Sequence, residues 1–225
     1  MPVVKVFFWG MLISFLGALP LGSLNVMGMQ ISVQEGIRPA FYFLAGTIVV
    51  EVIYVRLSLI GINWVRKQKK LFKWMEWITV AIILALAIGS FIAAMKSGDN
   101  AKNVMLENNI NSFFLGIILC AINPVQIPFW FGWSTVLFTK KILKPENRFY
   151  NTYIFGIALG TLLGGFVFIF GGPWIVNKLD ANDRTINWVV GGIFAVTAVI
   201  LLIKILLNKD ASEKLGEIET VETAQ

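Results

Sequence analysis

Long apolar stretches alternate with short polar segments along most of this chain, and only its C-terminal end is polar throughout. A stretch of about 18 apolar residues can cross the hydrocarbon core of a bilayer as a helix. Such stretches occur near residues 4–31, 40–62, 74–95, 112–138, 150–176 and 186–207. The pattern predicts an all-α integral membrane protein, with six transmembrane helices in residues 1–208 and a disordered cytoplasmic tail at 209–225.

The composition and the placement of charge agree with this prediction. Hydrophobic residues make up 57% of the chain and charged residues only 14%, which is too apolar for a water-soluble domain. The net charge is +6, and the basic runs at 66–73 and 140–148 fall in loops on the same side as the N-terminus. Because Lys and Arg are retained in cytoplasmic loops, both termini are predicted to be cytoplasmic. The charge therefore indicates topology rather than a nucleic-acid partner.

Two of the apolar stretches contain a proline beside polar side chains near their middle. Pro20 lies in the first stretch, and Pro124 follows Asn123 in the fourth. A proline inside a helix donates no backbone N–H and clashes with the preceding turn, and in lipid the freed groups must be satisfied by protein or water. We therefore expect helices 1 and 4 to be broken at these prolines. The alternative is that both prolines merely kink packed helices.

Three spans, a polar connection and three more spans are the pattern of a duplicated unit. Phe-Phe-Trp-Gly at 7–10 resembles Phe-Phe-Leu-Gly at 113–116, and each string precedes a predicted break. Because each unit has an odd number of spans, the second would enter the membrane from the opposite side. The predicted architecture is two inverted three-helix repeats, at about 1–95 and 112–208.

Residues at the two breaks are predicted to bind a small-molecule substrate. If a helix restarts after Pro20, the amides of Gly22 and Ser23 form its positive end and suit a carboxylate, while the carbonyls before Pro20 suit an ammonium group. Polar amide side chains beside the breaks either line a cavity or hold helices together. The predicted substrate-binding residues are Pro20, Gly22, Ser23, Asn25, Asn123, Pro124 and Gln126.

Glu51 lies near the centre of the second stretch. A carboxylate inside a membrane segment is by default a candidate functional group. We expect Glu51 to carry a proton or to face a cationic group of the substrate; the alternative is a structural hydrogen bond. No catalytic residues are predicted, because the chain has no histidine that would activate Ser23 as a nucleophile. No cofactor and no bound metal are expected either.

Gly156, Gly160 and Gly164 follow one another at four-residue spacing in the fifth stretch. Such spacing lets another helix approach closely. We expect packing within the chain first, with a homodimer face as the alternative.

The order of these features resembles the lysine exporter (LysE) family of bacterial amino-acid exporters. The first break resembles the family's Pro-Gly-Pro-type step, although Leu21 and Ser23 stand where prolines are usual. Asn123-Pro124 matches the family's Asn-Pro step. Gly36, Gly46 and Glu51 stand at the family's glycine and acidic positions.

These observations predict a secondary-active exporter of an amino acid, or of a related small zwitterion or cation, in the bacterial inner membrane. The proton gradient or the membrane potential would drive it, since the chain has no Walker-type loop. Two alternatives are a non-transporting membrane scaffold or assembly factor and a metal-ion exporter. The spans offer few ligands for a metal.

Overall fold

In the computed structural model, residues 2–19, 22–60, 69–95, 111–179 and 183–207 are described. They form α-helices joined by short turns, as the sequence predicts. Pro20, the connection at 96–110 and the predicted tail at 209–225 lie outside the described residues. The helices are α1 (Pro2–Ala18), α2 (Ser23–Gln34), α3 (Ile37–Ile60), α4 (Lys69–Met95), α5 (Ser112–Ile122), α6 (Gln126–Thr139), α7 (Asn147–Leu179) and α8 (Asp183–Leu206).

Four of the described helices, α3, α4, α7 and α8, are long and apolar enough to cross a membrane singly. Two further pairs pass the same test together, but each pair is bent: α1 and α2 by 73°, and α5 and α6 by 68°. The described chain therefore has four candidate spans, or six if each bent pair is one span. Large apolar side chains such as Ile53, Phe155 and Val196 are exposed on the outer faces, which suits contact with lipid.

The bends lie where the two apolar stretches contain their polar segments. α1 ends at Ala18 and α2 begins at Ser23. α5 ends at Ile122, and Asn123, Pro124 and Val125 form the turn before α6. That Pro20 and Pro124 cause the two bends stays a prediction.

α1 packs along α7 through glycines. A Cβ on Gly10 would lie 2.6 Å from the carbonyl oxygen of Tyr153, and a Cβ on Gly156 would meet the carbonyl oxygen of Phe7. The backbones are in contact here because these positions carry no side chain. Gly160 meets the carbonyl oxygen of Met11 in the same way and Gly164 meets Ala18, so Gly156, Gly160 and Gly164 serve packing within the chain.

α3 packs along α5 in the same manner. A Cβ on Gly46 would meet the carbonyl oxygen of Phe113, and a Cβ on Gly116 would meet that of Phe43. In each of these contacts between glycine and carbonyl, the carbonyl belongs to the residue three positions before the contacting glycine of the other helix. Each pair joins one helix of the N-terminal half to one of the C-terminal half, so the halves are intertwined.

α2 lies inside the helix assembly, against α3, α7 and α8. Its residues Val26, Met27 and Ile31 belong to an apolar core with side chains from α3, α4, α7 and α8. The start of α2 faces a cavity near the middle of the assembly.

Candidate functional site

A cavity of about 260 Å³ lies between the two bends. α1, α2, α3, α6 and α7 and the turn between α5 and α6 all contribute to its wall. This volume is near the lower end of the range for small-molecule pockets.

The structure brings most of the predicted site residues to this cavity. Residues of both bends and the carboxylate of α3 line it: Gly22, Ser23, Asn25, Asn123, Gln126 and Glu51. Pro124 is buried in the second turn and is not among the lining residues. Pro20 lies outside the described residues. The substrate-binding role of all these positions stays a prediction.

At the first bend the N-terminus of α2 faces the cavity. Gly22 is its N-cap residue and no side chain caps this end in the described chain. The first described N–H that bonds within the helix is that of Val26, to the carbonyl oxygen of Gly22 at 3.0 Å. The preceding amides of Ser23 and Leu24 belong to residues that line the cavity. Backbone N–H groups and the helix dipole together favour an anionic group at such an end.

Glu51 lies in another part of the wall and is 7% exposed. The Thr161 hydroxyl of α7 donates a hydrogen bond to its Oε2. The Thr161 hydroxyl is in turn 2.5 Å from the Ser14 hydroxyl of α1. Ser14 and Thr161 also line the cavity, so a continuous chain of polar groups joins α1, α7 and α3.

The carbonyl groups at the ends of α1 and α5 already accept hydrogen bonds. Asn25 Nδ2 donates to the Ala18 carbonyl oxygen at 2.5 Å. The Tyr54 hydroxyl donates to the carbonyl of Ala121, and Thr79 Oγ1 donates to that of Ile122 at 2.8 Å. An ammonium group was expected to bind the carbonyls before Pro20. At Ala18, one of these carbonyls, it would compete with the Asn25 side chain. Glu51 also lines the cavity, and as a carboxylate it has a second oxygen besides the Oε2 that accepts from Thr161.

At the second bend, two side chains accept hydrogen bonds from groups within the bend and the start of α6. Asn123 Oδ1 accepts the N–H of Val125 at 3.2 Å, and Gln126 Oε1 accepts the indole N–H of Trp130 at 3.2 Å. Pro128 in the first turn of α6 has no N–H to offer. Neither the start of α2 nor that of α6 has a side-chain cap in the described chain, so the start of α6 differs in this proline and in the hydrogen bond from Val125 to Asn123.

The family comparison agrees with the fold and the cavity. The family model for the LysE type translocator matches residues 15–205, which cover both bends and nearly all the described helices. The chain belongs to the LysE type translocator family. No curated protein and no solved structure matches the chain. The chain is therefore a membrane translocator.

Aromatic side chains form much of the remaining wall of the translocator's cavity. Phe129 and Trp130 meet edge to face, with ring centroids 4.8 Å apart, and Phe43 and Phe168 also line the space. The sequence analysis did not place Phe43 or Phe168 at the site. Aromatic and hydroxyl residues are frequent in apolar helices, so neither Phe43 nor Thr161 carries a distinguishing signal in the sequence.

Metal ligands are sparse in this translocator. In the described ranges no three His, Cys, Asp or Glu side chains come close enough together to hold a metal ion. Cys120 is buried against the backbone of Thr47.

Proposed function

We propose that this translocator is a secondary-active exporter of an amino acid, or of a related small zwitterion or cation, across the bacterial inner membrane. One observation carries the proposal: a single cavity is lined both by the N-terminus of α2, which has no side-chain cap in the described chain, and by the carboxylate of Glu51. An anion site and a cation site in one small cavity match the two charges of a zwitterion.

In this proposal the solute carboxylate accepts from the amides of Ser23 and Leu24, and its ammonium group donates to Glu51. Phe43, Phe129 and Trp130 enclose the rest of the solute. Asn25, Asn123 and Gln126 shape the cavity and hold the helix ends.

Glu51 is also the proposed proton carrier. With Glu51 ionised, Thr161 donates to its carboxylate and accepts from Ser14. With Glu51 protonated, the carboxyl can donate to Thr161, which then donates to Ser14. The charge state of Glu51 would thus be relayed through α7 of the second proposed repeat to α1, which belongs to the same proposed repeat as Glu51.

We further propose that the two halves are inverted repeats that move against each other. The equivalent glycine contacts of α1 with α7 and of α3 with α5 support this, because an inverted duplication would generate the two pairs together. Six spans with both termini in the cytoplasm complete the proposed topology, and each bent pair then counts as one span.

The test is flux into and out of proteoliposomes that contain the purified protein, with a panel of labelled amino acids under imposed pH and voltage gradients. We expect flux of at least one member, with a rate that responds to the proton gradient. Absence of flux for every member, with protein that is folded and correctly inserted, would refute amino-acid export and favour a scaffold role.

A further inference from the structure

A second cluster of polar side chains is buried outside the cavity, between α2, α4 and α8. Gln30 Nε2 donates to Asn187 Oδ1 at 3.3 Å and lies 3.5 Å from Ser90 Oγ. Gln34 Nε2, one turn further along α2, donates to the same Asn187 Oδ1 at 2.7 Å. Gln30, Ser90 and Asn187 are fully buried.

Two oxygen atoms of this amide cluster have no donor. Gln30 Oε1 and Gln34 Oε1 are both buried and without a hydrogen-bond partner in the described part of the chain. Buried acceptors are nearly always paired, so two together in one cluster indicate a ligand that donates hydrogen bonds. Both side chains donate an N–H to Asn187 Oδ1, which leaves their carbonyl oxygens for that ligand.

The cluster lies on the same side of α2 as Ser23, which lines the cavity. Residues 23, 30 and 34 fall within about 40° of one another around a helix with 3.6 residues per turn. Ser23 also lines a small space against α4, together with Ile83 and Leu86. Beyond that space, these two side chains and Met27 belong to the apolar core, and Ser90 follows one turn after Leu86.

We propose that Gln30, Gln34 and Asn187 form a second solute site, which binds the ammonium group of the solute at the end of α2 remote from the bend. This rests on the proposed export function. Met27, Ile83 and Leu86 separate it from the cavity and act as an apolar barrier between the two sites.

The chemistry of the cluster fits an ammonium group. Side chains four residues apart on a helix are neighbours, so the two glutamine oxygens can accept from one ammonium, which has three donors. The polar contacts described for the cluster all come from neutral side chains, whereas the cavity has Glu51. Amide oxygens hold a cationic group more weakly than a carboxylate does, which suits release.

Cysteine labelling tests the ammonium preference without knowledge of the solute. Gln34→Cys would be treated in detergent with methanethiosulfonates that carry an ethylammonium or an ethylsulfonate group. After correction for their rates with free cysteine, we expect the ammonium reagent to react about tenfold faster, the effect of roughly one hydrogen bond. The native chain, whose Cys120 is buried, gives the background.

Two further variants serve as controls for the labelling. Ile37→Cys is at the start of α3, at an exposed position beside Arg38, so its corrected ratio of ammonium to sulfonate rates should not exceed unity. Adding Gln30→Leu to Gln34→Cys should reduce the ammonium preference severalfold. The same ratio at Gln34→Cys as at Ile37→Cys, or no labelling of Gln34→Cys by either reagent, would overturn the proposal.

Transport measurements distinguish a failure of this proposal from a failure of the proposed export function. For an amino acid that the native protein transports, Gln30→Leu should raise KM about tenfold on the side where α2 ends, and leave KM on the other side unchanged. Equal changes on both sides would indicate a packing role and overturn the second site. If the native protein transports no amino acid, the export function fails, while the labelling ratio still decides whether the cluster accepts an ammonium group.

Discussion

The two bent helix pairs of this translocator differ at the point where the second helix of each pair begins. α2 starts at a glycine that provides no cap, and its first amides belong to residues that line the cavity. α6 starts beside Asn123, whose side chain accepts the N–H of Val125, and it has Pro128 in its first turn. Two breaks that look alike in sequence therefore offer a solute different chemistry.

Because of this difference, we expect the two bends to have different roles. Neither helix start has a side-chain cap in the described chain, but Pro128 removes one donor from the first turn of α6 and Asn123 fixes the turn before it. We infer that the first bend binds the solute carboxylate and that the second supports the cavity wall. The glycine contacts of α1 with α7 and of α3 with α5 are alike in the two halves, so the halves agree in packing and differ at the bends.

The largest effects, on stability, are expected at the glycine contacts between helices, which are alike in the two halves. Gly46→Ala and Gly156→Ala should each lower stability by about 3 kcal/mol, because the new Cβ would meet a backbone carbonyl and force two helices apart. Thermal unfolding of the purified protein would measure this.

Gly171→Ala is the matched control on α7, since nothing lies within 4 Å of its Cβ position. It should be neutral or stabilise by up to about 1 kcal/mol, because alanine favours a helix more than glycine does. Equal stability of the Gly156→Ala and Gly171→Ala proteins would refute the close contact of α1 with α7.

Replacing Glu51 should have the next largest effect. Glu51→Gln should reduce transport about 100-fold, since a charged hydrogen bond to the solute ammonium is lost, and the remaining flux should not respond to a pH gradient. Initial rates in proteoliposomes at several imposed pH gradients would measure both effects.

Thr161 provides a graded comparison for Glu51. Thr161→Ser keeps the hydroxyl that donates to the carboxylate and should retain the pH response, whereas Thr161→Val removes it and should weaken the response. If the Glu51→Gln protein kept full pH-dependent transport, the proposal that Glu51 carries the proton would be refuted.

A carboxylate introduced at the first bend should raise stability and at the same time weaken solute binding. Gly22→Asp should cap α2 and stabilise the protein by about 0.3 kcal/mol, because an N-cap aspartate accepts from the helix amides and glycine is already a tolerated N-cap. The same carboxylate would compete with that of the solute and raise KM about tenfold. Gly22→Asn caps without the charge, so it should stabilise similarly with a smaller change in KM. Identical KM values for the two variants would contradict an anion site at this bend.

The smallest effect is expected at the second bend. Asn123→Ala removes the hydrogen bond to the N–H of Val125 and should cost about 1 kcal/mol of stability. Transport per folded molecule should change less than about threefold if Asn123 only supports the turn. A large rise in KM with unchanged unfolding temperature would instead show that both bends bind the solute.

Hydropathy was enough to predict an all-α membrane protein, since it reports the apolar stretches directly. The polar segments beside Pro20 and Pro124 also marked the places where the helices change direction. Helix pairing was not predictable, because contacts such as Gly10 with Tyr153 join residues far apart in sequence. The six-span count and the inverted repeat remain proposals.

The sequence indicated the polar residues of the site better than their roles. Glu51 stood out as a carboxylate in an apolar stretch, but its partners Thr161 and Ser14 are ordinary hydroxyl residues whose meeting depends on tertiary packing. Asn25 was predicted as a solute ligand, yet its amide also donates to the carbonyl of Ala18. Glu76 on α4 is a further buried carboxylate that the sequence analysis did not single out.

A structure with a transported amino acid bound tests the central claim most directly. We expect a carboxylate oxygen of the solute about 3 Å from the backbone nitrogens of Ser23 and Leu24, and its ammonium nitrogen at a similar distance from a carboxylate oxygen of Glu51. A solute whose carboxylate lies instead at Asn123, or whose ammonium makes no contact with Glu51, would contradict the assignment of the anion site to the first bend.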